Sequence, residues 1–141
     1  MFFDLIYGDS EGYAAIVTRD QQGELTDTRW FHWPQEKTRM ERYVERRNDE
    51  DIYNSVNLFS GQDRNKLDAG AKSRTVYADA DTCTPDKFRI PPTIAVETSQ
   101  GRWHCYWVLD SEVRAEAAAR ESQRVYLAHK KDGCDAGWAI S

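Results

Sequence analysis

Alternating apolar and polar residues divide the first half of the chain into short strands and one helix. The apolar run at 13–18 (YAAIVT) predicts a strand. The segment 28–33 (TRWFHW) predicts its partner, with turn residues at 21–24 between them. The charged segment 35–47 carries apolar residues at helical spacing and predicts a surface helix. We interpret the charged side of this helix as a solvated face.

The middle of the chain is more polar. Residues 52–59 have mixed polarity and predict a further strand. Residues 60–73 (SGQDRNKLDAGAKS) have turn chemistry and almost no apolar content. Long loops in compact domains are often functional, so this one is a candidate substrate-facing segment.

The second half has a clearer pattern. Residues 75–81 predict a strand that ends in carboxylates, and 82–92 hold three of the four prolines and predict a loop. The segments 93–98 and 102–109 predict a hairpin around the turn at 99–101.

A helix is expected to follow the hairpin. It should begin at a cap on Asp110 or Ser111, run to about Lys131 and stop at Gly133. The element order predicts an α+β fold, with a mostly antiparallel sheet and flanking helices. We expect a single domain over 1–141.

Composition is that of a globular protein. The 141 residues include five Trp, seven Tyr and five Phe, and the net charge is −5. Neither half is strongly basic, so a nucleic-acid role needs a local groove rather than a global cationic field. No apolar run approaches the ~20 residues that span a bilayer, and no signal peptide is evident, so we expect a cytoplasmic protein without membrane contact.

The three cysteines, Cys83, Cys105 and Cys134, are widely spaced and odd in number. The sequence has no CxxC pair that would indicate a zinc site, and no secretory signal that would indicate disulfides. We expect reduced thiols.

The first candidate site is the pair Asp79 and Asp81. Alternate residues of a strand share a face, so both carboxylates should project together. A divalent cation would relieve their repulsion, and hard oxygen ligands suit magnesium or manganese. Solvated turn carboxylates are the alternative.

The second candidate is the returning strand of the hairpin. Arg102, His104 and Tyr106 should share a polar face, with Trp103 and Trp107 on the packed one. A histidine and an arginine together could grip phosphate oxygens. The alternative is a half-buried structural histidine.

The third candidate follows the last helix, in DGCDAGW at 132–138. A helix stop explains Asp132 and Gly133. Asp135 lies among small residues before a tryptophan, and it could supply a third carboxylate.

Together these segments resemble a known family. TVYADAD, a proline-bearing loop, PPTIAVETSQGRWHCYWVLD, a helix and DGCDAGW resemble the catalytic core of primase–polymerases of the archaeo-eukaryotic primase superfamily, in its phage and plasmid form. The resemblance is best over 74–141, the motif-bearing catalytic module, and weaker over 1–73, an N-terminal module. It implies a primase-like (RRM-like) core. The family continues past the third motif, which implies that this chain is a truncated core.

The resemblance also implies roles for individual residues. Asp79, Asp81 and Asp135 would be catalytic and bind Mg²⁺ or Mn²⁺, as two-metal nucleotidyl transfer requires.

The nucleotide-binding residues implied are His104, Arg102, Ser99 and Gly101, at the phosphates of a nucleoside triphosphate. Some family members carry a serine two residues before the histidine, and here that position is Arg102.

The implied activity is that of a DNA primase or DNA-directed polymerase in phage or plasmid replication. Its partners would be a single-stranded DNA template, nucleoside triphosphates and a replicative helicase, in the cytoplasm of a bacterium or phage-infected cell. Two other functions stay open. One is a non-catalytic single-stranded nucleic-acid-binding module of a replication initiator that uses the sheet face. The other is a metal-dependent nuclease.

Overall fold

The computed structural model describes residues 2–47, 50–63 and 70–136. These residues form an α+β fold of two three-stranded antiparallel sheets and three α-helices. In chain order the elements are α1 (Phe2–Tyr7), β1 (Gly12–Arg19), β2 (Leu25–Trp33), α2 (Lys37–Glu45), β3 (Asp51–Asn54), β4 (Lys72–Asp81), β5 (Ile94–Ser99), β6 (Arg102–Arg114) and α3 (Ala115–His129).

The first sheet has the order β2-β1-β3, with antiparallel pairing throughout. The central strand β1 carries an unbroken buried run from Ala14 to Thr18, as expected for a strand covered on both faces. The predicted strands at 13–18 and 28–33 are confirmed, although β2 already begins at Leu25.

The second sheet has the order β4-β6-β5. The predicted hairpin is confirmed, because Ser99 pairs with Arg102 around the Gln100–Gly101 turn. Gly101 has a φ of +75°, a left-handed conformation that glycine adopts at little cost.

The predicted start of the last helix is wrong. β6 continues to Arg114, because Ser73 and Lys72 of β4 pair with Val113 and Arg114. This pairing with a distant strand overrides the local capping signal, and α3 begins only at Ala115. Its end is close to the prediction: a short 3₁₀ turn at Lys130–Asp132 follows, and Gly133 stops it with a φ of +110°.

The predicted strand at 52–59 is also too long. β3 ends at Asn54, and Leu58 and Phe59 make only isolated bridges to Lys72 and Tyr13. The ladder is therefore not continuous between the sheets, and two sheets form where the sequence predicts one. Of the predicted loop at 60–73, residues 64–69 lie outside the described residues, and the last two residues belong to β4.

Helix α1, which the sequence analysis did not predict, joins the two sheets. Its Ile6 and Tyr7 are buried in a core cluster with residues of both sheets. The Tyr7 hydroxyl donates to the Ser55 carbonyl at 2.6 Å, and the Thr75 hydroxyl donates to the Ile6 carbonyl at 2.8 Å.

Helix α3 covers the opposite face of the second sheet. Ala78, Ala80 and Cys105 are buried beneath it in a second core cluster, with Val125 of the helix packed against them. No helix in the described part of the chain is long and apolar enough to cross a membrane.

Candidate functional site

The predicted acidic pair lies at the end of β4. Ala78 and Ala80 are fully buried towards α3, which anchors the strand and leaves Asp79 on its other face. A bulge falls between Asp79 and Asp81, and Asp81 has a φ of +48°. Strict side-chain alternation therefore stops at Asp81, and the two carboxylates do not simply point the same way.

Asp79 and His104 lie side by side on two adjacent strands. They are direct partners in the β4–β6 ladder, with Asp79 Oδ1 3.7 Å from His104 Nε2. Both side chains are half-buried, with 29% and 27% of their surface exposed.

Burial is the largest cause of the pKa shifts of both residues. Burial raises the pKa of Asp79, His104 opposes the shift, and the charges of Asp135 and Asp81 add to it. Burial lowers the pKa of His104, and Asp79 opposes that shift. Asp79 is thus a desolvated carboxylate among negative neighbours, a setting that an added cation would stabilise.

Asp81 has a cationic partner of its own. The Arg102 guanidinium donates to Asp81 Oδ1 at 2.5 Å, from the first residue of β6. The arginine predicted to grip phosphate thus holds a carboxylate here.

Asp135 is brought beside Asp79 from the far end of the chain. Its backbone N–H donates to the Asp79 carbonyl at 2.9 Å, and the Cys134 thiol contacts the same carbonyl at 3.4 Å. The Asp135 carboxylate accepts from the Ala136 N–H at 2.8 Å and is exposed. The structure therefore brings the three predicted aspartates to one end of the second sheet.

The donor set suits a hard divalent cation, since oxygen ligands and unbalanced negative charge meet at Asp79. The side chains are not arranged as a ready ligand cluster, however. Within residues 2–47, 50–63 and 70–136, no group of three or more His, Cys, Asp or Glu side chains could hold a metal ion. A cation and Arg102 would also compete for Asp81.

In the hairpin turn, too, a predicted phosphate-binding group is bonded to a carboxylate of the chain. The Gly101 N–H, expected to approach an anion, donates to the Glu97 carboxylate at 2.9 Å. Ser99 is exposed at the end of β5. Two of the predicted phosphate-binding groups, the Gly101 amide and the Arg102 guanidinium, thus bind acidic oxygens of the chain itself.

One predicted polar side chain is instead buried. Tyr106 is 5% exposed and packs in the first core cluster, because α1 covers the face that the alternation pattern predicts to be polar. The ring of Phe2 meets it edge-on, with centroids 5.3 Å apart. Burial raises the pKa of both Tyr106 and its neighbour Tyr77. The opposite face is packed as predicted.

A cleft of about 990 Å³ lies between the two sheets. Residues 51–56 form one wall and residues 96–99 the other, with Tyr77 and His104 also in its lining. Ser99 and His104, two of the predicted nucleotide-binding residues, line this cleft, whereas no sequence pattern predicts the wall at 51–56. A contact between segments so far apart in the chain leaves no local pattern.

The three cysteines are free and buried in the second core cluster, beneath the acidic strand end. Burial raises the pKa of Cys105 to about 11 and that of Cys134 to about 12. They are therefore protonated packing residues rather than nucleophiles at neutral pH.

Gly133 positions Asp135, and its replacement should destabilise the protein. Gly133 has a φ of +110°, and a Cβ there would collide with the Thr82 hydroxyl. We expect Gly133→Ala to lower the free energy of unfolding by about 1–3 kcal/mol in denaturant titrations. Gly23→Ala is the control, because Gly23 shares the positive φ but has no atom within 4 Å of an added Cβ. Equal losses of unfolding free energy in the two variants would contradict a role for close packing at Gly133.

Comparison with known proteins assigns no family to this arrangement. No family model, curated protein or solved structure matches the chain.

Proposed function

We propose that the chain is the catalytic core of a DNA primase or DNA-directed polymerase that performs nucleotidyl transfer on a single-stranded DNA template. The observation that carries this proposal is the half-buried Asp79 carboxylate, paired with His104 and surrounded by Asp81 and Asp135. His104 also lines a cleft whose volume of about 990 Å³ falls within the range of small-molecule pockets, about 300–1,000 Å³.

Asp79, Asp81 and Asp135 would hold Mg²⁺ or Mn²⁺. Bound there, the metal would supply activation of a 3′-hydroxyl and stabilisation of the leaving pyrophosphate. Asp79 contributes a ligand whose charge is poorly solvated, so it gains most from a cation. Asp81 would exchange its partner Arg102 for this role, which frees the guanidinium.

The freed Arg102, His104, Ser99 and the Gly101 amide would bind the triphosphate. The carboxylates of Asp81 and Glu97 now accept the hydrogen bonds that phosphate oxygens would accept. The arginine guanidinium binds phosphate and carboxylate in the same bidentate geometry, and a backbone N–H can donate to an oxygen of either group. The proposal includes an RRM-like primase fold and a replicative helicase partner.

Two observations argue against a ready metal site and so favour a second candidate, a non-catalytic nucleic-acid-binding module. Arg102 neutralises Asp81, and the described residues contain no ready metal cluster. The two candidates differ in whether the acidic pair is needed for activity. The test is incorporation of labelled nucleotide on a single-stranded template with Mg²⁺, with Mn²⁺ or with chelator alone. Incorporation that requires a metal supports the enzyme, and its absence with both metals contradicts it.

His104→Ala should weaken nucleotide binding. A charge-assisted contact to phosphate is worth roughly 1.5–3 kcal/mol, so the dissociation constant should rise about tenfold or more. The measurement is a fluorescence titration with a labelled nucleoside triphosphate, alongside a thermal melt. His32→Ala is the matched control, because His32 also lies in a strand with a carboxylate, Glu11, at 3.6 Å, but outside the cleft. Unchanged affinity with a lower melting temperature would make His104 a structural residue.

A further inference from the structure

A second concave surface, outside the candidate site, carries a strong local positive charge. It measures about 670 Å³ and is formed by α2 with the adjoining part of β2. We call it the arginine groove, after its five arginines: Arg29, Arg39, Arg42, Arg46 and Arg47. Glu36 is the single acidic residue in its lining among the described residues.

The helical repeat produces the groove. Arg39, Arg42 and Arg46 recur at the spacing that places residues on one side of a helix, with Arg46 as the C-cap residue of α2. Met40, between them in sequence, is fully buried in the first core cluster on the other side. The stripe from Arg39 to the C-cap residue Arg46 extends ~10 Å along the helix axis.

Three of the five arginines have an acidic partner within the described residues. Arg39 pairs with Glu36 at 2.6 Å, Arg29 with Asp27 at 3.5 Å and Arg47 with Glu50 at 3.3 Å.

Arg42 and Arg46 differ from these three. Both are exposed, and neither has an ion pair with any residue that the structure describes. Within the part of the chain that the structure describes, the groove therefore presents two unpaired cations, although the net charge of the chain is −5.

An aromatic ring holds two of the guanidinium groups in place. The Tyr43 ring carries Arg47 at 4.2 Å and Arg29 at 5.1 Å from its centroid. The Tyr43 hydroxyl donates to Asp27 at 3.0 Å, which fixes the ring. Burial raises the pKa of Tyr43, with the Asp27 carboxylate as a further cause. Ordered guanidinium planes can both bind phosphate oxygens and stack on bases.

We propose that the arginine groove binds the sugar–phosphate backbone of a single-stranded nucleic acid. Arginines beside an aromatic ring in a basic groove are the features that bind single strands without sequence preference. A single strand also leaves its bases free to stack on the guanidinium planes. Binding as such does not depend on nucleotidyl transfer; only the identification of the bound strand as the template rests on the proposed function.

The test measures the fluorescence anisotropy of a labelled single-stranded oligothymidine, with chelator present so that no metal contributes. We expect Arg42→Glu, Arg46→Glu to weaken binding about tenfold or more at low salt. The slope of log K against log salt should also become shallower by about 1.4, since each phosphate contact contributes roughly 0.7.

The matched control is Arg120→Glu, Arg124→Glu. This pair has the same spacing on α3 and the same charge change, but both arginines are exposed and paired with Glu116 and Glu121. It should weaken binding far less. Arg42→Ala, Arg46→Ala gives the same comparison without charge reversal, and thermal melts check that each variant is folded.

Three results would overturn the proposal. They are equal losses in the two charge-reversal variants, no loss in the groove variant, or stronger binding of duplex DNA or an acidic peptide than of the single strand. Binding is measured with chelator present, where no metal-dependent incorporation takes place, and incorporation is measured separately with metal. A loss of support for strand binding at the groove and a loss of support for the proposed catalysis are therefore separate results.

Discussion

Asp79→Asn, Asp81→Asn should abolish metal-dependent nucleotide incorporation while the protein stays folded. The double variant removes two of the three proposed metal ligands with almost no change in shape. Metal stabilisation of transition-state charge is worth several kcal/mol, so the rate should fall roughly a thousandfold or more.

Stability should change little in this variant. Burial and like-charge neighbours raise the pKa of Asp79, so its ionised form is unfavourable in the fold and asparagine removes that cost. Loss of the Asp81–Arg102 ion pair acts in the other direction, but Arg102 is 59% exposed and such pairs contribute about 0–1 kcal/mol. The melting temperature should therefore stay close to that of the unmodified protein.

The matched control is Asp110→Asn, Glu112→Gln, an exposed acidic pair with the same i, i+2 spacing on β6. It should keep full incorporation, since neither residue belongs to the proposed site. Undiminished incorporation by the Asp79, Asp81 variant would eliminate the two-metal proposal. Equal inhibition in both variants would point to a general charge effect instead.

Ile6→Ala should cause the largest loss of stability among the substitutions considered. Ile6 is fully buried in the core cluster that α1 shares with both sheets. Truncation of a buried isoleucine costs about 2–5 kcal/mol, through lost burial and the cavity left behind. Typical domains are stable by only about 5–15 kcal/mol, so the midpoint of urea unfolding should fall markedly.

Leu5→Ala is the matched control on the same helix. Leu5 is 51% exposed, so its truncation should change the free energy of unfolding by about 0.5 kcal/mol or less. Similar losses at both positions would mean that α1 does not pack as described. A small loss at Ile6 would show that the helix is not what joins the two sheets.

The sequence by itself determined the local elements. The buried run of β1 at 14–18, the β5–β6 hairpin and the helix stop at Gly133 each depend on neighbouring residues, and periodicity and turn chemistry report such neighbours directly. The same local information placed Asp79 and Asp81 at a strand end. It also placed His104 within the returning strand of the hairpin.

Only the tertiary structure decided how these elements meet. The extension of β6 to Arg114 depends on its pairing with Lys72, and the burial of Tyr106 depends on α1, about a hundred residues away in the chain. The pairing of Arg102 with Asp81 and the arrival of Asp135 beside Asp79 are likewise long-range. Such contacts form because packing and pairing energies outweigh local preferences, and a local pattern carries no record of its distant partner.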